Sequence, residues 1–379
     1  MRVQVNPGLV RWARKRAGFE IAALTPRFPH LQEWERGEAH PTLCQLESFA
    51  GAVHVPVGYL FLAAPPVEEI PIPDFRTMRN AGVSQATPDL LETVYICQQR
   101  QEWYRDFARS VGEKPLPFVG SEKPENDVVA AATRIRSALG LDLEERRGLP
   151  TAADALRRFI ENADLLGVLV MVSGVVGSNN RRKLDPQEFR GFALTDSLAP
   201  LVFINGADAK AAQMFTLAHE LAHVWLGRSA LSDVGPTSAP VDRVEDWCNR
   251  VAAELLVPLA ALGDVYRSST GLREEVARLS KHFKVSSLVM LRRIHDIGGL
   301  TREQLTEAYR AELSRLSASV KGSGGDFYLT QAARVGKRFA RALIVDTLEG
   351  QTLHRDAFRL LGFSKLETFR ALGRRLGVA

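Results

Sequence analysis

The chain has 379 residues, of which 45% are hydrophobic and 25% charged, and its net charge is +5. This length predicts about two to three compact units, and the near-average composition excludes a largely disordered or fibrous protein. Three cysteines, few and odd in number, exclude a disulfide framework and favour a reducing compartment. Because neither an apolar leader nor a run long enough to span a bilayer is evident, we predict a cytoplasmic protein without membrane association.

The N-terminal region, residues 1–65, is predicted to be a small helical domain. A first helix opens at Pro7, and another follows Thr42. The segment 63–75 contains four prolines, which lack a backbone donor and disfavour helix, so it predicts a linker. Connecting helices complete a second region, residues 66–149.

The third region, residues 150–300, combines helices with a small sheet. A helix is predicted over 153–164, and three β-rich runs follow at 166–176, 189–196 and 200–205. From residue 207 onward the pattern is almost entirely helical, through a basic C-terminal domain at 301–379. We therefore predict an α+β protein that is mostly helical.

The strongest chemical signal is the motif His219-Glu220-Leu221-Ala222-His223. Histidines four residues apart project from the same face of a helix and can bind one Zn²⁺. Glu220 lies beside them and can serve as the base that activates water for attack on a peptide carbonyl. We expect Asp208 to cap the start of this helix and Gly227 to end it.

Zinc sites of this type need a third protein ligand and an open position for water. The next predicted helix, VDRVEDWCNRVAAELLVP, places Glu245 and Asn249 on one face. Cys248 on the same helix is an alternative ligand, because thiolate also binds zinc. Alternatively, Cys248 is a small buried residue that packs like a hydrophobic side chain.

These segments, FTLAHELAHVWLG and EDWCNRVAAELLVP, resemble the ImmA/IrrE family of zinc metallopeptidases. The run PLVFIN with Asn205 also matches the family pattern. The resemblance implies a zincin-like domain at 150–300 in which His219, His223 and Glu245 bind zinc, Glu220 is catalytic and Asn249 supports the ligands. It also implies an endopeptidase whose substrate is a partner repressor related to the Cro/C1 group.

Residues 7–62, especially WERGEAHPTLCQLESFAGAVHVPVGYLFL, resemble the Cro/C1 helix-turn-helix regulators. However, the stretch between Leu24 and Trp34 is shorter than in that family, so the turn and the start of the recognition helix are missing. That end of the helix normally reaches base edges. His30, Gln32 and Arg36 are the candidate DNA-binding residues, and dimerisation or packing is the alternative role of the domain.

Two later segments, 276–294 and 357–372, also have the residue pattern of a helix-turn-helix. The first resembles the helical end of the ImmA/IrrE domain and is expected to close the peptidase fold. The second lies in the basic segment 321–379, which has 11 Lys/Arg against 5 Asp/Glu. A basic helical cap of a bundle is the alternative interpretation. The side chains that could add phosphate contacts are Arg334, Lys337, Arg338 and Arg341.

Three further hypotheses concern how the site is used. PLVFIN is interpreted as an edge strand that pairs with an extended substrate. The residues 228–240 are a candidate lid in a protein that acts chiefly as a sensor. A third hypothesis is a non-proteolytic DNA-binding regulator or antitoxin-like protein that uses the same fold. Candidates for stabilising an oxyanion, which no spacing rule ranks, are Tyr266, His282 and Arg292.

Overall fold

The structure is a computed structural model that describes most of the chain. The described residues are 2–68, 70–73, 86–232, 243–317 and 327–378, with the backbone alone described at 232, 317 and 327–330. Most of the predicted lid and the end of the predicted linker lie outside them. The described residues form two compact units. The first contains the residues up to Pro71 and, further along the chain, the beginning of a helix up to Val94. The second contains Ile72, Pro73 and everything from Tyr95 onward.

The first unit consists of short helices around its own apolar core, as predicted. Thr42 caps the fourth helix through a capping box with Gln45, whose side chain accepts the Thr42 N–H at 2.8 Å. Arg14 and Glu35 form a buried ion pair, with Nε and Oε1 2.6 Å apart. The helices are α1 (Pro7–Arg16), α2 (Ile21–Leu24), α3 (Leu31–Arg36) and α4 (Leu43–Ala52), followed by a 3-10 helix (Val57–Phe61).

The remaining described elements are fourteen helices and four strands. The first helix, α5, begins in the first unit and continues into the second. Helices before the sheet and around the site are α5 (Pro88–Ser110), α6 (Val128–Ala138), α7 (Leu143–Gly148), α8 (Ala152–Leu166), α9 (Lys210–Leu226) and α10 (Arg243–Leu256). Later helices are α11 (Leu259–Val265), α12 (Leu272–Phe283), α13 (Ser287–Asp296), α14 (Arg302–Ser317), α15 (Phe327–Val335), α16 (Lys337–Leu348), α17 (His354–Leu361) and α18 (Leu366–Leu376). None of the described helices is long and apolar enough to cross a membrane.

The sheet has four strands in the order β1-β3-β2-β4. The strands are β1 (Leu169–Ser173), β2 (Gly191–Leu194), β3 (Leu201–Asn205) and β4 (Ala230–Ser232). β1 runs parallel to β3, whereas β2 is antiparallel to both β3 and β4. All five residues of β3 are buried, as expected of a strand that is covered on both faces.

The prediction that PLVFIN is an edge strand was therefore wrong. β3 pairs with β1 on one side and with β2 on the other, so no backbone edge remains there for a substrate. The edge of the sheet beyond β2 is formed instead by the three-residue strand β4, which the sequence did not predict. The Leu231 N–H on this edge donates to the Pro73 carbonyl at 2.9 Å.

Helix α9 packs against β2 and β3 and carries the histidine motif. Its end agrees with the prediction, because Gly227 adopts the left-handed conformation and its N–H bonds back to Val224. Its start differs: Ala209 occupies the cap position without a side-chain cap, while the Asp208 carboxylate accepts the neighbouring N–H of Ala209. The Gln213 side chain instead bonds to the Asp208 carbonyl, at 2.6 Å.

The segment 276–294 forms α12 and α13, and its apolar residues join the core that surrounds α9 and α10. The basic C-terminal helices α15 and α16 pack against β1 instead. At this contact the backbone of Gly336 comes so close to β1 that an added Cβ would lie 2.9 Å from the Val170 carbonyl oxygen. Helices α15 and α16 therefore pack on the same sheet as α9.

Candidate metal centre

Both histidines of the motif lie on the inner face of α9. His219, Glu220 and His223 are fully buried, as are most residues of the helix from Met214 onward. The two Nε2 atoms are 3.1 Å apart, and the two side chains share one face of the helix, as their spacing of four residues predicts. The helix thus presents two imidazole donors to one point.

Helix α10 brings a carboxylate to the same point. The Oε2 atom of Glu245 lies 3.3 Å from His219 Nε2, and Oε1 lies 3.0 Å from His223 Nε2. The three residues are the one group of at least three His, Cys, Asp or Glu among the described residues whose ligand atoms converge this closely. Glu245 occupies the first turn of α10, so the third donor depends on how α10 packs against α9.

The spacing of these donors fits a tetrahedral zinc ion. With metal–ligand distances of about 2.0–2.2 Å, two ligands of a tetrahedral site lie roughly 3.3–3.6 Å apart. The Nε2–Nε2 separation of 3.1 Å is slightly shorter than that range, and the Glu245 carboxylate turns a different oxygen to each imidazole, Oε1 to His223 at 3.0 Å and Oε2 to His219 at 3.3 Å. Three donors leave the fourth position for water or substrate, as a catalytic site requires.

The charges at this point also suit a divalent cation. The Glu245 carboxylate lies beside two imidazoles, and a second acidic residue, the fully buried Glu220, follows His219 on the same helix. Although burial raises the pKa of Glu245, the electrostatic and hydrogen-bonding interactions of this carboxylate with His219 and His223 hold that pKa well below its usual range. A cation at the same point would likewise keep the carboxylate ionised, which is the form that binds metal.

Glu220 faces the sheet at a close helix–strand contact. A Cβ added at Gly191 of β2 would lie 3.3 Å from Glu220 Cγ, 2.6 Å from Thr216 Cγ2 and 2.8 Å from the Phe203 carbonyl oxygen. Only glycine leaves room for α9 at this position. Gly191 is a functional candidate that the sequence analysis missed, because a single glycine in a strand carries no signal for what packs on it.

The other predicted residues of the site have different outcomes. Cys248 lies in the apolar core of α10 and is not part of the donor cluster. Asn249, one turn after Glu245, is half-buried, and its supporting role stays a prediction. Among the oxyanion candidates, Arg292 bonds to Asp296 at 3.2 Å, so its guanidinium already has a carboxylate partner.

For Tyr266 and His282, the proposed role as oxyanion donors stays a prediction. The Tyr266 hydroxyl lies beside Gly299, where an added Cβ would come within 2.8 Å of it. Burial, together with the nearby Arg147, lowers the pKa of His282, and its ring packs edge-on against Phe283. These contacts connect neither side chain to the donor cluster.

The candidate DNA-binding residues lie on a short helix. α3 has six residues; His30 precedes it, and Gln32 and Arg36 lie within it. His30 Nδ1 is 3.1 Å from a Glu33 carboxylate oxygen, and Arg36 lies 3.9 Å from Glu38. Such acidic neighbours weaken attraction to phosphate.

The basic C-terminal side chains also have partners within the chain. Lys337 Nζ lies 2.9 Å from a carboxylate oxygen of Glu161. Arg338 donates to the Tyr104 hydroxyl at 2.8 Å, and Arg334 donates to the Asn180 side chain, also at 2.8 Å. Three of the four basic residues named from the sequence therefore help to attach the C-terminal helices.

Comparison with known families gives two matches. Residues 163–295 match the peptidase M78 model, described as the IrrE N-terminal-like domain, and residues 335–375 match a domain of unknown function (DUF8813). No curated protein matches the chain closely enough to be counted as a relative. The first match contains all three donors and Glu220, supports the resemblance to ImmA/IrrE peptidases over about a third of the chain, and suggests a metallopeptidase-like function.

Proposed function

We propose that the protein is a zinc-dependent endopeptidase. The observation that carries the proposal is the convergence of His219, His223 and Glu245 at mutual distances of 3.0–3.3 Å, with the buried Glu220 on the same helix. The M78 match supports it, because peptidases of that family are generally zinc-dependent. A zinc ion held there would supply Lewis-acid activation of water and of the scissile carbonyl.

The side chains of the site have distinct roles in the proposed reaction. His219 and His223 present their imidazoles to one point because the buried helix fixes their direction, and Glu245 adds a carboxylate. Glu220 accepts a proton from the attacking water and returns it to the leaving amine, as a general base and then a general acid. Its burial between α9 and the sheet limits the motion of the carboxylate during this transfer.

The proposed substrate is a partner repressor related to the Cro/C1 group. This part of the proposal rests on the resemblance of the motifs to ImmA/IrrE peptidases, several of which act on such repressors. The alternative is a non-proteolytic regulator that binds the same kind of partner without cutting it.

Cleavage by matched variants tests the proposal. The purified protein, loaded with one equivalent of Zn²⁺, is incubated with Cro/C1-type repressors encoded near its gene, and the fragments are identified by mass spectrometry. We expect Glu220→Gln to bind zinc like the wild type and to lose cleavage. Asp246→Asn removes an exposed carboxylate next to Glu245 and is expected to keep both properties.

Two outcomes would contradict the proposal. Cleavage by Glu220→Gln at the wild-type rate would remove Glu220 from the mechanism. Stable binding of a repressor by wild-type protein that contains zinc, without any cleavage, would favour the regulator instead.

A further inference from the structure

A segment outside the M78 match contacts both helices that carry the proposed zinc ligands. It comprises residues 116–126, between α5 and α6, and we call it the strap. The strap begins where the Leu116 N–H donates to the Ser197 carbonyl at 2.7 Å. It contains no helix or strand, so its course is set by the contacts that it makes with its neighbours.

The strap first binds the C-terminal end of α9. The Gly120 N–H donates to the Val224 carbonyl at 3.2 Å, and the Glu122 N–H donates to the Trp225 carbonyl at 3.0 Å. These carbonyls are among the last four of the helix, which lack the regular partner four residues further on; that of Val224 also accepts the Gly227 N–H. Val224 directly follows the ligand His223, so the strap is bonded one residue away from the metal site.

The other end of the strap binds α10. The indole Nε1–H of Trp247 donates to the Asn126 carbonyl at 3.0 Å. Trp247 is buried and lies two residues after the ligand Glu245. One short segment is therefore bonded to α9 next to one ligand and to α10 next to another.

Polar contacts of the buried Glu122 carboxylate constrain the strap. The Glu122 carboxylate accepts from Arg134 Nε at 2.7 Å and from Asn126 Nδ2 at 2.6 Å. The hydrogen bond from Arg134 is the largest of the influences that lower the pKa of Glu122, so this carboxylate stays ionised and bonded at neutral pH. Phe118 also stacks on Trp225, with ring centroids 4.5 Å apart.

Two glycines allow the strap to approach α9. Gly120 and Gly227 both have positive φ, +72° and +66°. A Cβ on Gly227 would lie 2.9 Å from the Cα of Gly120, which is closer than such atoms approach. Any larger residue at Gly227 would push the strap away from the end of α9.

We propose that the strap sets the spacing between the two ligand helices and thereby the affinity of the site for zinc. This inference rests on the proposed zinc site. Zinc binding requires Glu245 to reach the two histidines across the α9–α10 contact, and shifts of a few tenths of an ångström exceed what metal–ligand bonds tolerate. Gly120, Gly227 and Trp247 are thus positioning residues that act through the ligands and do not touch the metal.

Two strap variants with matched controls test this role. Gly227→Ala displaces the strap, and Gly140→Ala is its control, because Gly140 has a positive φ of +58° but open space around it. Trp247→Phe removes the indole donor, and Trp103→Phe is its control, because the Trp103 Nε1–H bonds to Thr352 in the loop between α16 and α17, outside both ligand helices. Zinc affinity is measured by competition with a chromophoric chelator, and the visible spectrum of the Co²⁺ form reports the ligand geometry.

We expect the strap variants to bind zinc roughly tenfold more weakly than the wild type, which is the effect of replacing residues that support metal ligands. The Co²⁺ spectrum of these variants should also be altered. The two controls should match the wild type in both measurements. Wild-type affinity and spectrum in Trp247→Phe and in folded Gly227→Ala would overturn the inference. A wild-type protein that does not bind zinc would instead refute the proposed function itself.

Discussion

Replacing Gly191 by alanine tests the contact that places Glu220 against the sheet. The added Cβ would lie 2.6 Å from Thr216 Cγ2 and 2.8 Å from the Phe203 carbonyl oxygen. Because the carbonyl belongs to the interior strand β3, the part of α9 around Thr216 and Glu220 must shift instead. Overpacking of this kind costs about 1–3 kcal/mol of folding free energy. In a unit of this size, each kcal/mol lowers the melting temperature by roughly 2–4 °C.

The assay compares thermal unfolding and cleavage rate in Gly191→Ala and in the double variant Gly191→Ala/Thr216→Ser. Serine keeps the hydroxyl that donates to the Ala212 carbonyl but removes the Cγ2 methyl that collides with the new Cβ. We expect the double variant to recover part of the lost stability and part of the lost rate. Wild-type stability and rate in Gly191→Ala alone would refute this account of the helix–sheet contact.

Further predictions concern a core thiol, a buried carboxyl and a buried ion pair. Cys248→Ala should keep zinc and lose about 1 kcal/mol of stability, because Cys248 packs in the core, and metal analysis with urea unfolding checks both. Burial raises the pKa of Asp164 from 3.8 to about 7, so its contribution to stability is present below pH 4 and is lost as the pH rises through 7. Asp164→Asn should therefore be more stable than wild type at pH 8 but not at pH 4 in urea unfolding, because asparagine has no charge to bury at the higher pH. Arg293→Met should lower the unfolding free energy by roughly 3–5 kcal/mol in the same assay, because it leaves Glu254 buried without its cation; a loss below 1 kcal/mol would contradict this.

The part of the site that lies within one helix could be predicted from the sequence. The spacing of His219 and His223 determines that they share a face, whatever the rest of the chain does. Glu245 was selected over Cys248 through the resemblance to a family, because both residues lie on one helix and spacing alone cannot say which side faces α9. The structure brings Glu245 to the histidines and leaves Cys248 in the core.

The order of the strands in the sheet could not be predicted from the sequence. The apolar runs predicted three strands, but an uninterrupted apolar strand has the same pattern at every position in a sheet that is covered on both faces. The order of β1, β3 and β2 was therefore not readable, and PLVFIN was wrongly placed at an edge. β4 was missed because three residues are too few to show alternation.

Gly191 and the strap suggest that two properties of the site are set by two different contacts. Gly191 contacts the region of Glu220 and Thr216, whereas the strap binds α9 beside His223 and α10 beside Glu245. The base and the ligand spacing should thus be separable by mutation. Gly191→Ala should lower the cleavage rate more than zinc affinity, and the strap variants should lower zinc affinity first. If every variant changed both properties in the same ratio, α9 would move as one rigid body, and neither contact would have a specific role.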